Sequence, residues 1–229
     1  MAKGTVVRKI SRAAPEIIQG LRAAGVATVH EAGAKSLLPP EIRPIQQGAR
    51  IAGSAVTVSG PPGDNMMIHV AVEVIEPGDV LVVATTSPAT NGMFGELLAV
   101  SVTAHGCVGL VIDAGVRDVA DLREMGFPVW ARTIHAAATT KTGLGSVNLP
   151  VLCAGVTVRP GDVVVADDDG VVVVERERAN EVLESARQRL QKEEETRSRL
   201  AAGELGLDLY GFRQRLPNLG VRWVDTLEE

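Results

Sequence analysis

The stretch CysValGlyLeuValIleAspAlaGlyValArgAsp, residues 107–118, combines a buried strand with two charged residues beyond its carboxyl end. Its first seven residues are almost all apolar and of strand length, which predicts a strand buried inside a sheet. The flexible Gly115 follows, and Arg117 and Asp118 then open a predicted helix that ends at Gly126. A strand that leads directly into a helix is typical of α/β folds, in which ligand-binding groups lie just beyond the carboxyl ends of strands.

Segments on both sides of this stretch alternate between strand and helix patterns. Apolar runs predict strands over 50–59, 80–84 and 128–132. Apolar residues at helical spacing predict helices over 14–24, 26–32, 65–75 and 95–105, and Asp64 is a candidate N-cap for the third of them. This alternation predicts an α/β fold in which helices cover a central sheet.

The pattern changes after residue 150. Valine-rich runs over 151–158, 162–166 and 171–174 are separated by ArgProGly and AspAspAspGly, which predicts hairpins in a second sheet packed on the first. From 175 to about 202 the chain is strongly charged and helical, and its apolar stripe fades, so we expect this long C-terminal helix to reach over a neighbouring subunit. We therefore divide the chain into a main domain, residues 1–175, and a C-terminal helix and tail, residues 176–229.

Composition excludes several classes of protein. A chain of 229 residues is long enough to form a sizeable hydrophobic core. Because the residues are 45% hydrophobic but only 3% aromatic, this core must consist mainly of aliphatic side chains. A net charge of −5 without a basic block argues against a nucleic-acid partner. No stretch approaches the roughly 20 apolar residues that a membrane span needs. The two cysteines, Cys107 and Cys153, lie in apolar strands, as reduced core residues do, so we expect a soluble cytoplasmic protein.

Charged residues at two predicted helix starts form a candidate site. Arg117 can bind a carboxylate through two parallel N–H bonds, Asp118 can hold a hard cation, and Glu96 can order or deprotonate a metal-bound water. The main-chain N–H groups of Gly95–Leu98 can bind a carboxylate at a helix N-terminus. The pattern equally allows a purely structural interpretation, in which Glu96 and Asp118 stabilise helix dipoles and Arg117 is a surface cation.

Other polar features of the chain do not predict a site. Asp167–Asp169 lies between two valine runs and indicates a hairpin turn rather than a metal centre. His69 lies beside apolar residues, as a core or interface histidine does, and the spacing of the histidines is not that of metal ligands. Lys141 lies in a polar, loop-like segment, so we do not expect it to form a Schiff base. The glycines of Gly143–Gly145 are not followed by a helix, so they do not predict nucleotide binding.

Glu96, Arg117 and Asp118 also carry a resemblance to a known family. An acidic residue, twenty intervening residues and then ArgAsp is the mark of the metal-dependent class II pyruvate aldolases of the RraA-like family, and this chain has that spacing. The acidic residue in the family pattern is Asp, whereas this chain has Glu96, which reaches one methylene further. The resemblance extends over nearly the whole chain and includes the segments Gly25–Ala32, Pro62–Glu73, Gly95–Ala99, Val111–Leu122, Gly145–Val151 and Ala202–Tyr210.

The resemblance implies a fold, an activity and a set of roles. The fold would be an α/β/β sandwich related to swivelling domains, assembled as a homotrimer or homohexamer with active sites between subunits. The enzyme would cleave 4-hydroxy-4-methyl-2-oxoglutarate or 4-carboxy-4-hydroxy-2-oxoadipate, with oxaloacetate decarboxylation as a side activity. Asp118 would hold Mg²⁺ or Mn²⁺, Arg117 and Gly95–Leu98 would bind the 2-oxo acid, Glu96 would orient a water, and Glu193 of the adjacent subunit would support the metal's waters.

A second hypothesis is a binding protein of the same fold. The RraA regulators, which the chain also resembles, inhibit an RNA-degrading endonuclease by protein contact and need no catalytic site. The trio of Glu96, Arg117 and Asp118 favours the enzyme, because a protein that only binds has no use for it.

Overall fold

The protein is described by a computed structural model that covers residues 4–34 and 36–226. These residues form two compact units, the first ending at Arg187 and the second beginning at Gln188. The first unit contains the sheet and most of the helices. No helix in the described ranges is both long and apolar enough to cross a membrane.

The first unit is built from short helices and a large sheet. Its strands are β1 (Thr5–Val6), β2 (Ser36–Leu37), β3 (Arg43–Pro44), β4 (Ile51–Gly60), β5 (Val80–Thr85), β6 (Gly92–Phe94), β7 (Gly109–Val116), β8 (Val129–Ile134), β9 (Ser146–Val147), β10 (Val151–Cys153), β11 (Val156–Val158), β12 (Val163–Asp167) and β13 (Gly170–Val174). Its helices are α1 (Pro15–Ala24), α2 (Val26–Glu31), α3 (Met66–Ala71), α4 (Glu96–Ala104) and α5 (Val119–Glu124), and α6 (Ala179–Ala201) continues into the second unit.

The main path of the sheet follows the order β2-β13-β12-β4-β5-β7-β8-β3. Strands β4, β5, β7 and β8 are parallel to one another, as the alternation of strands and helices predicts. Strand β4 joins this parallel part to an antiparallel part, because Ala55 pairs with Val80 of β5 whereas Ser54 pairs with Val163 of β12. The strands β12 and β13 therefore extend the first sheet, and the expectation that they form a second sheet is wrong.

The predicted single strand over 151–158 is a hairpin. Strands β10 and β11 pair antiparallel with each other and form a separate two-stranded sheet. Ala154 and Gly155 connect them, and both have positive φ angles, of 50° and 84°. Two consecutive residues with positive φ are what the shortest hairpin turns require, so the chain reverses here instead of continuing.

Two apolar layers explain why the central strands are hydrophobic on both faces. In β5, Leu81 and Val83 pack in the cluster that holds the helical residues Ile68 and Leu98. Val80 and Val82 point the other way, into the cluster that holds Cys153 and Val158 of the hairpin. A third cluster packs α1, α2 and the start of α6 against β12 and β13. Helices therefore cover one face and a hairpin the other, which is an α/β/β arrangement.

Several predicted helices differ from the observed ones at their ends. The helix predicted over 65–75 ends at Ala71 and continues as a 3₁₀ turn, Val72–Val74. The helix predicted to open at Arg117 begins at Val119, because Asp118 adopts a left-handed conformation and acts as its N-cap residue. Asn65, not Asp64, is the N-cap residue of α3.

The second unit contains the rest of α6 and the tail. Two short helices, α7 (Gly206–Leu209) and α8 (Phe212–Arg215), follow α6. The long charged helix predicted over 175–202 is confirmed, with its α-helical part starting at Ala179. Glu193 forms an ion pair with Arg189 one turn earlier, at 2.8 Å.

Candidate functional site

The candidate site lies where β6 and β7 run side by side. Gly92 of β6 pairs with Gly115 of β7, and the main-chain N–H of Arg117 donates to the carbonyl of Phe94 at 2.9 Å. The start of α4 directly follows β6, and Arg117 and Asp118 directly follow β7. The parallel pairing thus brings together two segments that are about twenty residues apart in the sequence.

Glycines allow this close approach. A Cβ atom on Gly95 would lie 2.2 Å from Oδ2 of Asp118, and one on Gly92 would lie 2.9 Å from Cβ of Arg117. A Cβ atom on Gly115 would lie 2.2 Å from the carbonyl oxygen of Thr90. Any larger residue at these positions would push the two segments apart.

Asp118 is held at the site by main-chain geometry. Its φ and ψ angles of 54° and 38° are left-handed, a conformation that Asp tolerates better than most residues. Its side chain does not cap α5 but accepts a hydrogen bond at Oδ2 from the main-chain N–H of Glu96, at 3.2 Å. Nε of Arg117 lies 3.6 Å from the same oxygen. Oδ1 makes no hydrogen bond to the described residues, so it remains available to a ligand.

A small cavity of about 100 Å³ opens beside these residues. Its lining consists of Asn65, His69, Gly92, Met93, Gly95, Leu97, Leu98, Arg117, Asp118 and Lys141. The side chains of Arg117 and Asp118 are 43% and 39% exposed, so both are accessible from solvent. The amides of Leu97 and Leu98 belong to the first turn of α4, where N–H groups have no partner within the helix.

Three residues of the cavity lining, Asn65, His69 and Lys141, were not predicted as part of a site. Asn65 is buried, and its Nδ2 donates to the carbonyl of Met93 at 3.0 Å while its Oδ1 has no donor. His69 is exposed rather than part of the core. Partial burial of the ring and the nearby charge of Lys141 lower the pKa of His69, which favours its neutral form. Lys141, from the polar loop, also lines the cavity.

Asp64 fastens the loop that carries Lys141. Its Oδ2 accepts hydrogen bonds from Oγ1 of Thr140 at 2.6 Å and from the N–H groups of Thr142 and Gly143 at 2.7 and 2.9 Å. Its Oδ1 accepts from the N–H of Met66 at 3.0 Å. Burial opposes ionisation of this carboxyl group, but the four hydrogen bonds outweigh it and hold the pKa of Asp64 well below its ordinary value.

The predicted site residues fall into three groups. Gly95, Leu97, Leu98, Arg117 and Asp118 lie together around the cavity. Glu96 contributes its main-chain N–H to Asp118, but its side chain is not part of the cavity lining. Glu193 belongs to the second unit.

The oxygen ligands available at the site would suit a hard cation that binds few protein groups. Within residues 4–34 and 36–226, no group of three or more His, Cys, Asp and Glu side chains is arranged to hold a metal. Asp118 is the carboxylate in the lining, and its Oδ1 accepts no hydrogen bond from the described residues, so it could bind a cation. Mg²⁺ commonly binds proteins through one or two carboxylates and keeps several waters, so this donor set fits it.

Comparison with known proteins assigns the chain to a family. Residues 22–173, which include the cavity lining, match the model of the RraA-like family, described as Aldolase/RraA. The chain belongs to the RraA-like family. The resemblance found in the sequence is thereby confirmed, and so is the predicted α/β fold with a long C-terminal helix.

The proteins similar to this chain include one named as an aldolase and two named as RraA proteins. A protein of Halalkalibacterium halodurans named "Putative 4-hydroxy-4-methyl-2-oxoglutarate aldolase" is 34% identical over 162 residues, which are 71% of this chain and 77% of the relative. The crystal structure of Streptomyces coelicolor RraAS2, an unusual member of the RNase ES inhibitor RraA family, is 32% identical. It superposes with a TM-score of 0.73 over 82% of this chain and all of that one. The RNA-processing inhibitor RraA from Thermus is 28% identical, with a TM-score of 0.59 over 65% of this chain and 90% of that one.

Proposed function

We propose that this RraA-like protein is an aldolase, a carbon–carbon lyase that uses a divalent cation, Mg²⁺ or Mn²⁺, bound to Asp118. The substrate would be a 4-hydroxy-2-oxo acid such as 4-hydroxy-4-methyl-2-oxoglutarate or 4-carboxy-4-hydroxy-2-oxoadipate, and the products pyruvate and a second 2-oxo acid. The observation that carries the proposal is the shared cavity of Arg117, Asp118 and the first turn of α4. The name of the Halalkalibacterium halodurans relative supports the substrate class.

The first role of these residues is to bind the 2-oxo acid end of the substrate. The guanidinium group of Arg117 presents a fork of N–H donors that matches a carboxylate or a 2-oxo oxygen. The amides of Leu97 and Leu98 add two further donors at the positive end of the α4 dipole. A bound Mg²⁺ or Mn²⁺ would act as a Lewis acid on the 2-oxo group.

The second role is to move charge and a proton during cleavage. The C4 hydroxyl loses its proton, the C3–C4 bond breaks, and its electron pair forms the enolate of pyruvate, which takes up a proton at C3. Arg117 stabilises the negative charge that develops on the 2-oxo oxygen. We assign the carboxylate of Glu96, whose main-chain N–H donates to Asp118, to relay the hydroxyl proton through a water. In a homotrimer or homohexamer, Glu193 of an adjacent subunit would support the metal's waters. The same enolate would form in oxaloacetate decarboxylation.

The test is an assay of pyruvate release from both substrates, with and without EDTA. We expect activity that EDTA abolishes and Mg²⁺ or Mn²⁺ restores, and that is lost in Asp118→Ala. Asp121→Ala is a matched control, because Asp121 is an exposed acid on the same short helix. Full activity in EDTA or in Asp118→Ala would overturn the metal-dependent proposal.

A second candidate function is regulation of an RNA-degrading endonuclease. The similarity to RraAS2, at 32% identity over 82% of this chain, favours it. A regulator would inhibit RNA cleavage through surface contacts and would keep that inhibition in Asp118→Ala. Co-purification with an endonuclease, together with no turnover of either substrate, would favour the regulator over the aldolase.

A further inference from the structure

The cavity lining includes one positively charged side chain, that of Lys141, to which the proposed reaction gives no role. Arg117 and the first turn of α4 supply hydrogen-bond donors to the lining, and Lys141 supplies an ammonium group. Asp118 is the only carboxylate in the lining, and it already lies beside Arg117 and the N–H of Glu96. Lys141 makes no ion pair with the described residues. A positive charge at a cavity wall without a counter-ion is suited to an anionic group of a ligand.

The position of Lys141 is fixed by a buried carboxylate. Asp64 is 5% exposed and holds the flanking residues Thr140, Thr142 and Gly143 by three hydrogen bonds. The main chain adds two more links, from the N–H of Asn65 to the carbonyl of Thr140 at 3.1 Å and from the N–H of Thr140 to the carbonyl of Gly63 at 2.9 Å. A loop held at both sides of Lys141 restricts where its ammonium group can go, which is the requirement for a binding residue.

We propose that Lys141 binds the second carboxylate of a dicarboxylic substrate, at the end remote from Arg117, and that Asp64 is the positioning residue that holds Lys141 there. This inference rests on the proposed function and deepens it, because it makes the chain selective for 2-oxo acids with a carboxylate at each end. A monocarboxylic 2-oxo acid of the same length would satisfy Arg117 but leave Lys141 without a partner.

The charges around the ammonium group agree with this role. His69 is its titratable neighbour on α3, and partial burial together with the charge of Lys141 lowers the pKa of that histidine, which favours its neutral form. Arg117 also lines the cavity, and Asp118, whose Oδ2 accepts from the main-chain N–H of Glu96, is assigned to the divalent cation in the proposed function. Lys141 and Arg117 are two cationic side chains in one cavity lining, and a dianion that bridges them offsets their mutual repulsion, so binding a dicarboxylate stabilises the site more than binding two separate monoanions.

The experiment compares two unreactive ligands of equal chain length, 2-oxoglutarate and 2-oxopentanoate, by calorimetry with the full-length protein and Mg²⁺. We expect the wild type to bind the dicarboxylate on the order of 10- to 100-fold more tightly, which is the range for one hydrogen bond to a charged group. Lys141→Met should remove most of this preference, and Lys141→Arg should restore part of it. Lys9→Met is the control, because Lys9 is an exposed lysine outside the cavity.

The positioning role of Asp64 has its own readout. In Asp64→Asn, the donors of Thr140, Thr142 and Gly143 would face either an amide NH₂ group or an amide oxygen, which accepts more weakly than a carboxylate. The loop that carries Lys141 would therefore be held less tightly. We expect the preference for 2-oxoglutarate to fall while the affinity for 2-oxopentanoate changes less than about threefold, whereas a general loss of structure would weaken both ligands equally. A wild type without preference, or an unchanged preference in Lys141→Met, overturns the inference. Neither result depends on turnover, so the aldolase proposal is tested separately by pyruvate release.

Discussion

Replacing Gly95 with alanine should disable the site without unfolding the protein. The new methyl group would lie 2.2 Å from Oδ2 of Asp118 and 3.1 Å from Cγ of Arg117. Ordinary contact needs about 3.4 Å, so the carboxylate must retreat by about 1 Å. The φ angle of Gly95 is −156°, which alanine adopts readily, so the strain falls on Asp118 and not on the backbone of α4.

The size of the effect follows from that displacement. A misplacement of about 1 Å in a reacting constellation costs on the order of 10²-fold in rate, so we expect kcat for pyruvate release to fall by about that factor. The loss of glycine at an N-cap position should lower stability by less than about 1 kcal/mol. The assay measures kcat and the thermal midpoint together, with Gly60→Ala as control, since a Cβ atom there meets nothing closer than 3.8 Å. A Gly95→Ala protein with wild-type kcat would refute the view that the packing of Asp118 against Gly95 sets the geometry of the site.

Three further predictions concern the first unit. The carboxylate of Asp64, with its pKa held below the ordinary value, stabilises the fold above the unfolded pKa of about 4 and loses that contribution as pH falls towards the folded pKa. The thermal midpoint of the wild type should therefore fall more steeply between about pH 5 and pH 3 than that of Asp64→Asn, and parallel curves would contradict this. Trp130 is fully buried and its Nε1 donates to the carbonyl of Asp167 at 2.8 Å, so Trp130→Phe should cost about 1–3 kcal/mol in the free energy of unfolding, measured by urea denaturation. Burial raises the thiol pKa of Cys107 to about 11 and of Cys153 to about 12, so both should react with a thiol reagent at pH 8 only after unfolding, and rapid labelling of the native protein would be inconsistent with their burial.

The sequence predicts the parallel part of the fold well because its signals are local. The apolar run of residues 107–113 needs burial on both faces, and the helical segments on either side supply one of the covering layers. The joining of β12 to β4 could not be predicted in the same way. Val163 pairs with Ser54 across more than 100 residues, and the valine run of β12 is apolar at every position, so no alternation indicates which strand it meets.

In the candidate site, too, the residues with local sequence signals were predictable and the residue placed by long-range contacts was not. Arg117 and Asp118 were predictable because each follows a strand directly, at the edge of the sheet where α/β proteins bind ligands. Lys141 was not, because its segment has neither helical nor strand periodicity, and hydrogen bonds to Asp64, more than 70 residues earlier, bring it to the cavity. The only local sequence signal for this contact is the pair Asp64–Asn65 before a short helix. Such a pair indicates a helix N-cap more readily than hydrogen bonds to a distant loop.

The way in which Asp118 is held bears on the choice between enzyme and regulator. Its carboxylate is fixed by the main-chain N–H of residue 96 and by contact with Gly95, so this geometry does not depend on which side chain residue 96 carries. The presence of Glu where the family pattern has Asp therefore leaves Asp118 and Arg117 in place and changes only the reach of the neighbouring carboxylate. A regulator that acts through its surface has no evident use for a left-handed aspartate packed against a glycine beside an arginine, because this arrangement serves to orient a carboxylate next to a guanidinium group. That arrangement beside a polar cavity favours chemistry at Asp118 over a fold used for docking alone.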